Sequence, residues 1–119
     1  MIRSKIVAVE TYVPSKIVDN TTLEKQINEH DRWLQPGMLE KLFGIKSRRF
    51  ADCEEQASDL AVKAALPIVN SVGRANIDCL IFAAASADLI EPATANIVQH
   101  KLQLSCPVMD VKNACNSFV

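Results

Sequence analysis

No stretch of this chain approaches the roughly twenty consecutive apolar residues of a helix that crosses a bilayer, so a membrane span is not expected. The apolar core near the N-terminus, Ile6-Val7-Ala8-Val9 behind Met1-Ile2-Arg3-Ser4-Lys5, is too short for a secretion signal. A net charge of −1 gives no global basic field, so no nucleic-acid partner is expected. The cysteines at 53, 79, 106 and 115 form no Cys-x-x-Cys pair, and no His-x-x-x-His pair accompanies them, so a zinc site is unsupported. Without a secretion signal, a disulfide framework is not expected either, and a cytoplasmic location is. There is no internal repeat, low-complexity tract or linker. What remains is 119 residues at 49% hydrophobic and 23% charged, the composition of one small globular unit.

Strand and helix signals alternate along the chain. Lys5 to Val13 is rich in β-branched residues and ends at Pro14, which predicts a strand. Asp19 to Ile27 puts capping residues before a helical pattern. Asp31 to Leu42 is partly helical and broken by Pro36-Gly37. Lys46 to Phe50 is a candidate short strand. Its basic run, Lys46-Ser47-Arg48-Arg49, reads as a solvated loop or strand end, or else as a contact for a phosphate-rich ligand or acidic carrier. Glu55 to Asn70 is the clearest helix, with Leu60, Ala64, Ala65 and Ile68 at helical spacing and Ser58-Asp59 near its start. Pro67 predicts a kink or an early end to it. Ile77 to Ala84 reads as a strand buried on both faces, with Cys79 as a small core residue. Pro92 to Leu104 is helical with Pro early and Ala95, Val98 and Leu102 on one face. Pro107 to Val111 is the last strand. This alternation implies an α/β layered fold, with a site at the carboxyl ends of its strands.

Cys115 lies at such an end. The apolar run Pro107-Val108-Met109 leads through Asp110-Val111 to a cysteine among small residues, Asn113-Ala114-Cys115-Asn116-Ser117. The expectation is a strand that delivers a thiol to a helix N-terminus, where the partial positive charge and free N–H groups favour the thiolate nucleophile. Only four residues follow, so the chain is expected to be part of a larger enzyme.

The run Cys106-Pro107-Val108-Met109-Asp110-Val111-Lys112-Asn113-Ala114-Cys115-Asn116-Ser117-Phe118 resembles that of β-ketoacyl-acyl carrier protein synthase III, in the thiolase superfamily. Lys5 to Pro14, Gly44-Ile45-Lys46-Ser47-Arg48, Leu80 to Ser86 and Pro92-Ala93-Thr94-Ala95 carry the rest of the resemblance. It implies a thiolase-like layered fold, with helices packed on a mixed, largely parallel sheet. Residues 1–119 would be the N-terminal part of the first thiolase-like domain. It further implies that Cys115 takes an acyl group from acyl-CoA, and that malonyl-acyl carrier protein then condenses with that group. A coenzyme A thioester would be substrate, with no permanently bound cofactor. A homodimer is implied. The family's catalytic histidine and asparagine come from a later part of the chain, and His30 and His100 do not match them. Residues 1–119 alone are therefore expected to be inactive.

The same resemblance implies that Trp33, after Asp31-Arg32, stacks on the adenine of coenzyme A. Read from the residue alone, Trp33 is a half-buried aromatic covering a core edge. The family's Arg-Thr-Gly-Ile is replaced by Leu42-Phe43-Gly44-Ile45, leaving Lys41 or Lys46 as substitutes toward the nucleotide. Glu91 falls in the loop that shapes a partner's acyl pocket in the family. A carboxylate there is expensive to bury unpaired, which favours Glu91 in solvent over a rearranged loop or a polar acyl group. Ser117 stands where the family carries glycine. These departures favour, as alternatives, an acyltransferase or a condensing enzyme of specialised metabolism. A non-catalytic dimerisation module is a more remote reading.

Overall fold

The computed structural model describes residues 4–30 and 33–118. The expectations for Met1 to Arg3, Asp31, Arg32 and Val119 lie outside the described residues. The chain divides into two units, Val13–Glu54 and Met1–Tyr12 with Glu55–Val119.

In the smaller unit, β1 (Lys16–Asp19) pairs antiparallel with β2 (Ser47–Phe50), Lys16 facing Phe50 and Asp19 facing Ser47. Helix α1 (Asn20–His30) follows β1 directly. The Thr22 N–H donates to Asp19 Oδ1 at 2.7 Å, so the expected capping group is in place and holds the Asp19 carboxyl below its ordinary pKa. Asn20 is buried and ties the start of α1 to β2 and the residues before it: its Nδ2 donates to the Ile45 carbonyl (2.6 Å) and its Oδ1 accepts from Arg48 (2.6 Å). Glu24 is buried, and its two carboxylate oxygens accept the Leu39 and Gly37 N–H groups, each at 2.9 Å. These two bonds satisfy donors at the start of α2 (Met38–Phe43) and lower the Glu24 pKa. Gly44 ends α2 at φ 68°, a left-handed value that glycine adopts without a Cβ clash.

In the larger unit, helix α3 (Ala57–Val72) opens with a capping box between Gln56 and Asp59. It continues five residues past Pro67, so the expected early end does not occur. The proline removes only its own N–H, and Lys63, whose carbonyl loses that donor, lies with Pro67 on the exposed side where water can replace it. Strand β3 (Leu80–Ala83) pairs in parallel with β4 (Val108–Val111), and α4 (Thr94–Leu102) is the crossover between them. The core is Val69, Val98, Leu102, Leu104 and Cys106, with Leu80 and Phe82 packed against it. The predicted apolar face of α4 is the one buried, with Ala95, Val98 and Leu102 at 0–2% exposure.

Three expectations are corrected here. Lys5 to Val13 forms no strand, because no described segment offers it a ladder of hydrogen bonds; Ile6, Val7 and Val9 stand exposed. Strand β3 is not buried on both faces. Side chains alternate along a strand, so Leu80 and Phe82 meet the helices while Ile81 is 58% exposed. Cys79 shares the parity of Ile81 and is exposed rather than a core residue; Cys106 is the buried cysteine. No helix among the described residues is long and apolar enough to cross a membrane.

Candidate active site

The carboxyl end of β4 is tied to the start of α4. Asp110 Oδ1 accepts the Ala95 N–H (2.7 Å) and Oδ2 accepts the Thr94 N–H (2.9 Å). A helix N-terminus presents unpaired donors and partial positive charge, so a carboxylate fits both needs. The fully buried Thr94 hydroxyl accepts the Asp88 N–H at 3.1 Å, and Asp88 Oδ1 accepts the Ser58 N–H at 3.0 Å. Lys101 donates to Ser58 Oγ (2.8 Å) and to Asp59 Oδ1 (2.6 Å). The Lys101 bond comes first among the causes that hold the Asp59 carboxyl below its ordinary pKa. The loop between β3 and α4 is thus anchored at Asp88, at the start of α3 and at the end of β4.

Beyond β4 the chain turns tightly around Cys115. The Asn116 N–H donates to the Asn113 carbonyl (2.9 Å) and the Ser117 N–H to the Ala114 carbonyl (3.3 Å). The buried Ser117 hydroxyl accepts the Asn113 N–H (2.9 Å) and donates to the Ala114 carbonyl (2.8 Å). Ala114 sits at φ 46°, a left-handed conformation that costs an alanine about 1 kcal/mol. Cys115 is exposed on this turn. The expected helix at Cys115 is not formed among the described residues. An α-helical bond from the Cys115 carbonyl would fall on residue 119, outside them, and the bonds present are the shorter i→i+3 kind.

The other predicted site residues are Glu91 and Trp33. Glu91 is exposed, as the solvent reading expects, and precedes a cis bond to Pro92. The 370 Å³ hollow beside the end of β4 is lined by Ala87 to Ile90, Asp110 and Lys112, and includes neither Glu91 nor Cys115. A larger apolar hollow of 490 Å³ runs along α3 and β3 through Ala61, Ala65 and Phe82, with Phe118 at its rim. Trp33 belongs to the smaller unit and is 63% exposed, more open than an aromatic covering a core edge. Its turn is held by Asn28, whose side chain bonds both the N–H (3.1 Å) and the carbonyl (2.8 Å) of Leu34.

The basic run is mostly engaged internally. Arg49 donates to the Pro14 and Ser15 carbonyls at 3.1 and 3.2 Å, and Arg48 to Asn20, so both serve the strand pair. Lys46 lies 3.8 Å from Glu40 on an open surface. His30 and His100 are exposed on their helices. Among the described residues no cluster of His, Cys, Asp and Glu could hold a metal.

No family model matches the chain. Curated proteins do. It is 38% identical to β-ketoacyl-[acyl-carrier-protein] synthase III of Staphylococcus haemolyticus over 91% of its length, and 38% identical to that of Caulobacter vibrioides over 98%. The chain is a homologue of the β-ketoacyl-[acyl-carrier-protein] synthases III. It spans about a third of these relatives' length, 34% and 36%. The fold agrees. The Thermus thermophilus synthase III superposes with a TM-score of 0.80 at 28% identity, covering 97% of this chain and 35% of that one. An OleA variant from Xanthomonas campestris gives 0.82 at 31% identity, covering 92% and 34%. The chain therefore has part of a thiolase-like α/β fold. Sequence reasoning missed the carboxylate of Asp110 as the cap of α4; nothing local signals it, since the helix starts sixteen residues earlier.

Proposed function

We propose that residues 1–119 are the N-terminal part of a thioester-condensing enzyme in which Cys115 carries the acyl group. The observation that carries this reading is the homology to the synthases III, which extends through the Cys115 run. The exposed thiol on a tight turn beyond a strand's carboxyl end supports it. In the first step the Cys115 thiolate attacks the carbonyl of an acyl-CoA. The new bond is Sγ to carbonyl carbon, and the coenzyme A thiolate leaves and takes a proton. In the second step a malonyl thioester on acyl carrier protein loses carbon dioxide. The resulting carbanion attacks the enzyme thioester, forms the carbon–carbon bond and releases Cys115 as thiolate. Donors for the developing oxyanion, and the proton-handling groups, come from the rest of the enzyme together with the Cys115 backbone N–H. Trp33 stacks on the adenine of the CoA ester, and the loop carrying Glu91 borders the acyl pocket. The enzyme works as a cytoplasmic homodimer without a resident cofactor, and residues 1–119 alone are inactive.

Peptide mass spectrometry of the complete enzyme after incubation with a panel of acyl-CoA esters tests this. An acyl adduct on the Cys115 peptide, absent from Cys115→Ala, is the expected result. A folded enzyme that takes no acyl group at Cys115 from any ester would end the reading. The OleA likeness favours a second reading, a condensing enzyme of specialised metabolism that uses a long-chain acyl-CoA; one OleA structure holds lauric acid and lauroyl-CoA. Dependence of product on malonyl-acyl carrier protein separates the two.

A further inference from the structure

We propose that Ser117 is a positioning residue that sets the direction of the Cys115 thiol, an inference that rests on the reading of Cys115 as the acyl-accepting nucleophile. A hydroxyl has one proton to give and lone pairs to receive with. Ser117 uses both, on the two residues immediately before the cysteine. It accepts from the Asn113 N–H at 2.9 Å and donates to the Ala114 carbonyl at 2.8 Å. Ser117 is 7% exposed, while Asn113, Ala114, Cys115, Asn116 and Phe118 around it are all open to solvent. Its side chain is thus the buried peg of an otherwise exposed turn.

The peg is needed because of Ala114. At φ 46° its Cβ opposes the conformation, and a non-glycine residue keeps such a φ only where its surroundings over-determine it. The backbone bonds that hold the turn without Ser117 Oγ are Asn116 N–H to Asn113 (2.9 Å) and the longer Ser117 N–H to Ala114 (3.3 Å). Removing the hydroxyl strips a partner from each residue and lets Ala114 relax toward negative φ. The bond from Ala114 to Cys115 then rotates, and the thiol leaves the line of attack while remaining exposed. Misplacing a nucleophile in this way lowers the rate of the bond-forming step and leaves binding of the donor alone.

The test uses the complete enzyme as wild type, S117A, S117T, A114G and the double variant A114G/S117A. The readout is single-turnover acylation of Cys115 by lauroyl-CoA and by acetyl-CoA. In S117A the maximal acylation rate is expected to fall about tenfold, with the half-saturating ester concentration unchanged. S117T restores the hydroxyl and the rate. Glycine takes positive φ without a clash, so S117A made in A114G loses less than about threefold. Iodoacetamide, a small electrophile, alkylates Cys115 in every variant, with exposed Cys53 and Cys79 as internal controls. Wild-type acylation rates in S117A, or the same loss in both backgrounds, would overturn the proposal. Should wild type accept no acyl group at all, the acyl-transfer reading fails by itself. The peg is then read from amide hydrogen exchange over residues 113–118. Faster exchange in S117A, reversed in S117T, supports it, and exchange that does not change between wild type and S117A refutes it.

Discussion

Asp110, at the end of one strand, closes the N-terminus of a helix that begins at Thr94, its two carboxylate oxygens taking the Thr94 and Ala95 N–H groups at 2.9 and 2.7 Å. The strand that leads to Cys115 and the loop that carries Glu91 are thereby fastened to each other. Asp110→Ala is expected to cost about 1–2 kcal/mol, the range of a lost helix cap. Urea unfolding gives the cost, and hydrogen exchange locates it at the Thr94 and Ala95 amides. Unchanged exchange there would mean that the cap contributes nothing.

The centre of the larger unit is Leu102, with no exposed surface. Leu102→Ala is expected to destabilise by about 3 kcal/mol, the transfer cost plus a cavity. Ile90, fully exposed, is the control: Ile90→Ala stays within about 0.5 kcal/mol. Equal effects at the two positions would show that the packing described around Leu102 does not exist in solution.

Acid stability is the third expectation. Asp19, Glu24 and Asp59 each have a lowered carboxyl pKa in the fold, chiefly from the Thr22 N–H, the Leu39 N–H and the Lys101 ammonium respectively. A depressed folded pKa contributes stability above the unfolded value, near pH ~4, that is lost as pH falls through the folded value. Stability is therefore flat near neutrality and declines below about pH 4. Lys101→Met removes the largest cause at Asp59, so the Asp59 pKa rises, as NMR titration would show, and the acid decline becomes shallower. Lys63 runs the other way. Its pKa is raised, first by the bond to Glu55 and then by Tyr12. Its contribution is complete below the ordinary lysine value and disappears as pH rises through the higher folded one.

Trp33 is the only tryptophan among residues 1–119, and its contribution to the fluorescence of the complete enzyme is the difference between wild type and Trp33→Phe. Under the proposed function, titrating the complete enzyme with coenzyme A quenches that fluorescence. Trp33→Ala raises the half-saturating concentration of acyl-CoA by about tenfold, as expected for one lost stacking contact, and leaves the maximal acylation rate alone. An emission spectrum indifferent to coenzyme A would remove Trp33 from the nucleotide site.

Much of this architecture is legible in the sequence because its signals are local. Ser58-Asp59 marks the start of α3, and Ala95, Val98 and Leu102 mark the buried face of α4. Pro107 to Val111 contains the strand that carries the chain to Cys115. The failures share a cause. Lys5 to Val13 has strand composition, but a strand exists only with a partner, and composition does not supply one. The apolar run around β3 does not say how many of its faces are covered, so it reads as interior at Cys79 and Ile81, which the fold leaves exposed. The early end expected at Pro67 does not occur, since the proline lies on the side that water reaches.

The candidate site divides in the same way. That a cysteine follows an apolar strand among small residues, in a run that resembles the synthase III segment, is legible in the sequence alone. That Asp110 caps a helix starting sixteen residues earlier, that Lys101 reaches Ser58 and Asp59 across 43 and 42 residues of chain, and that the Ser117 hydroxyl closes the turn around Cys115 is visible in the folded chain alone. The difference is one of range. Backbone propensity and side-chain periodicity act over a few residues and can be read in order along the chain. A hydrogen bond between distant residues depends on the path of everything between them, and that path is set by burial of the whole core at once.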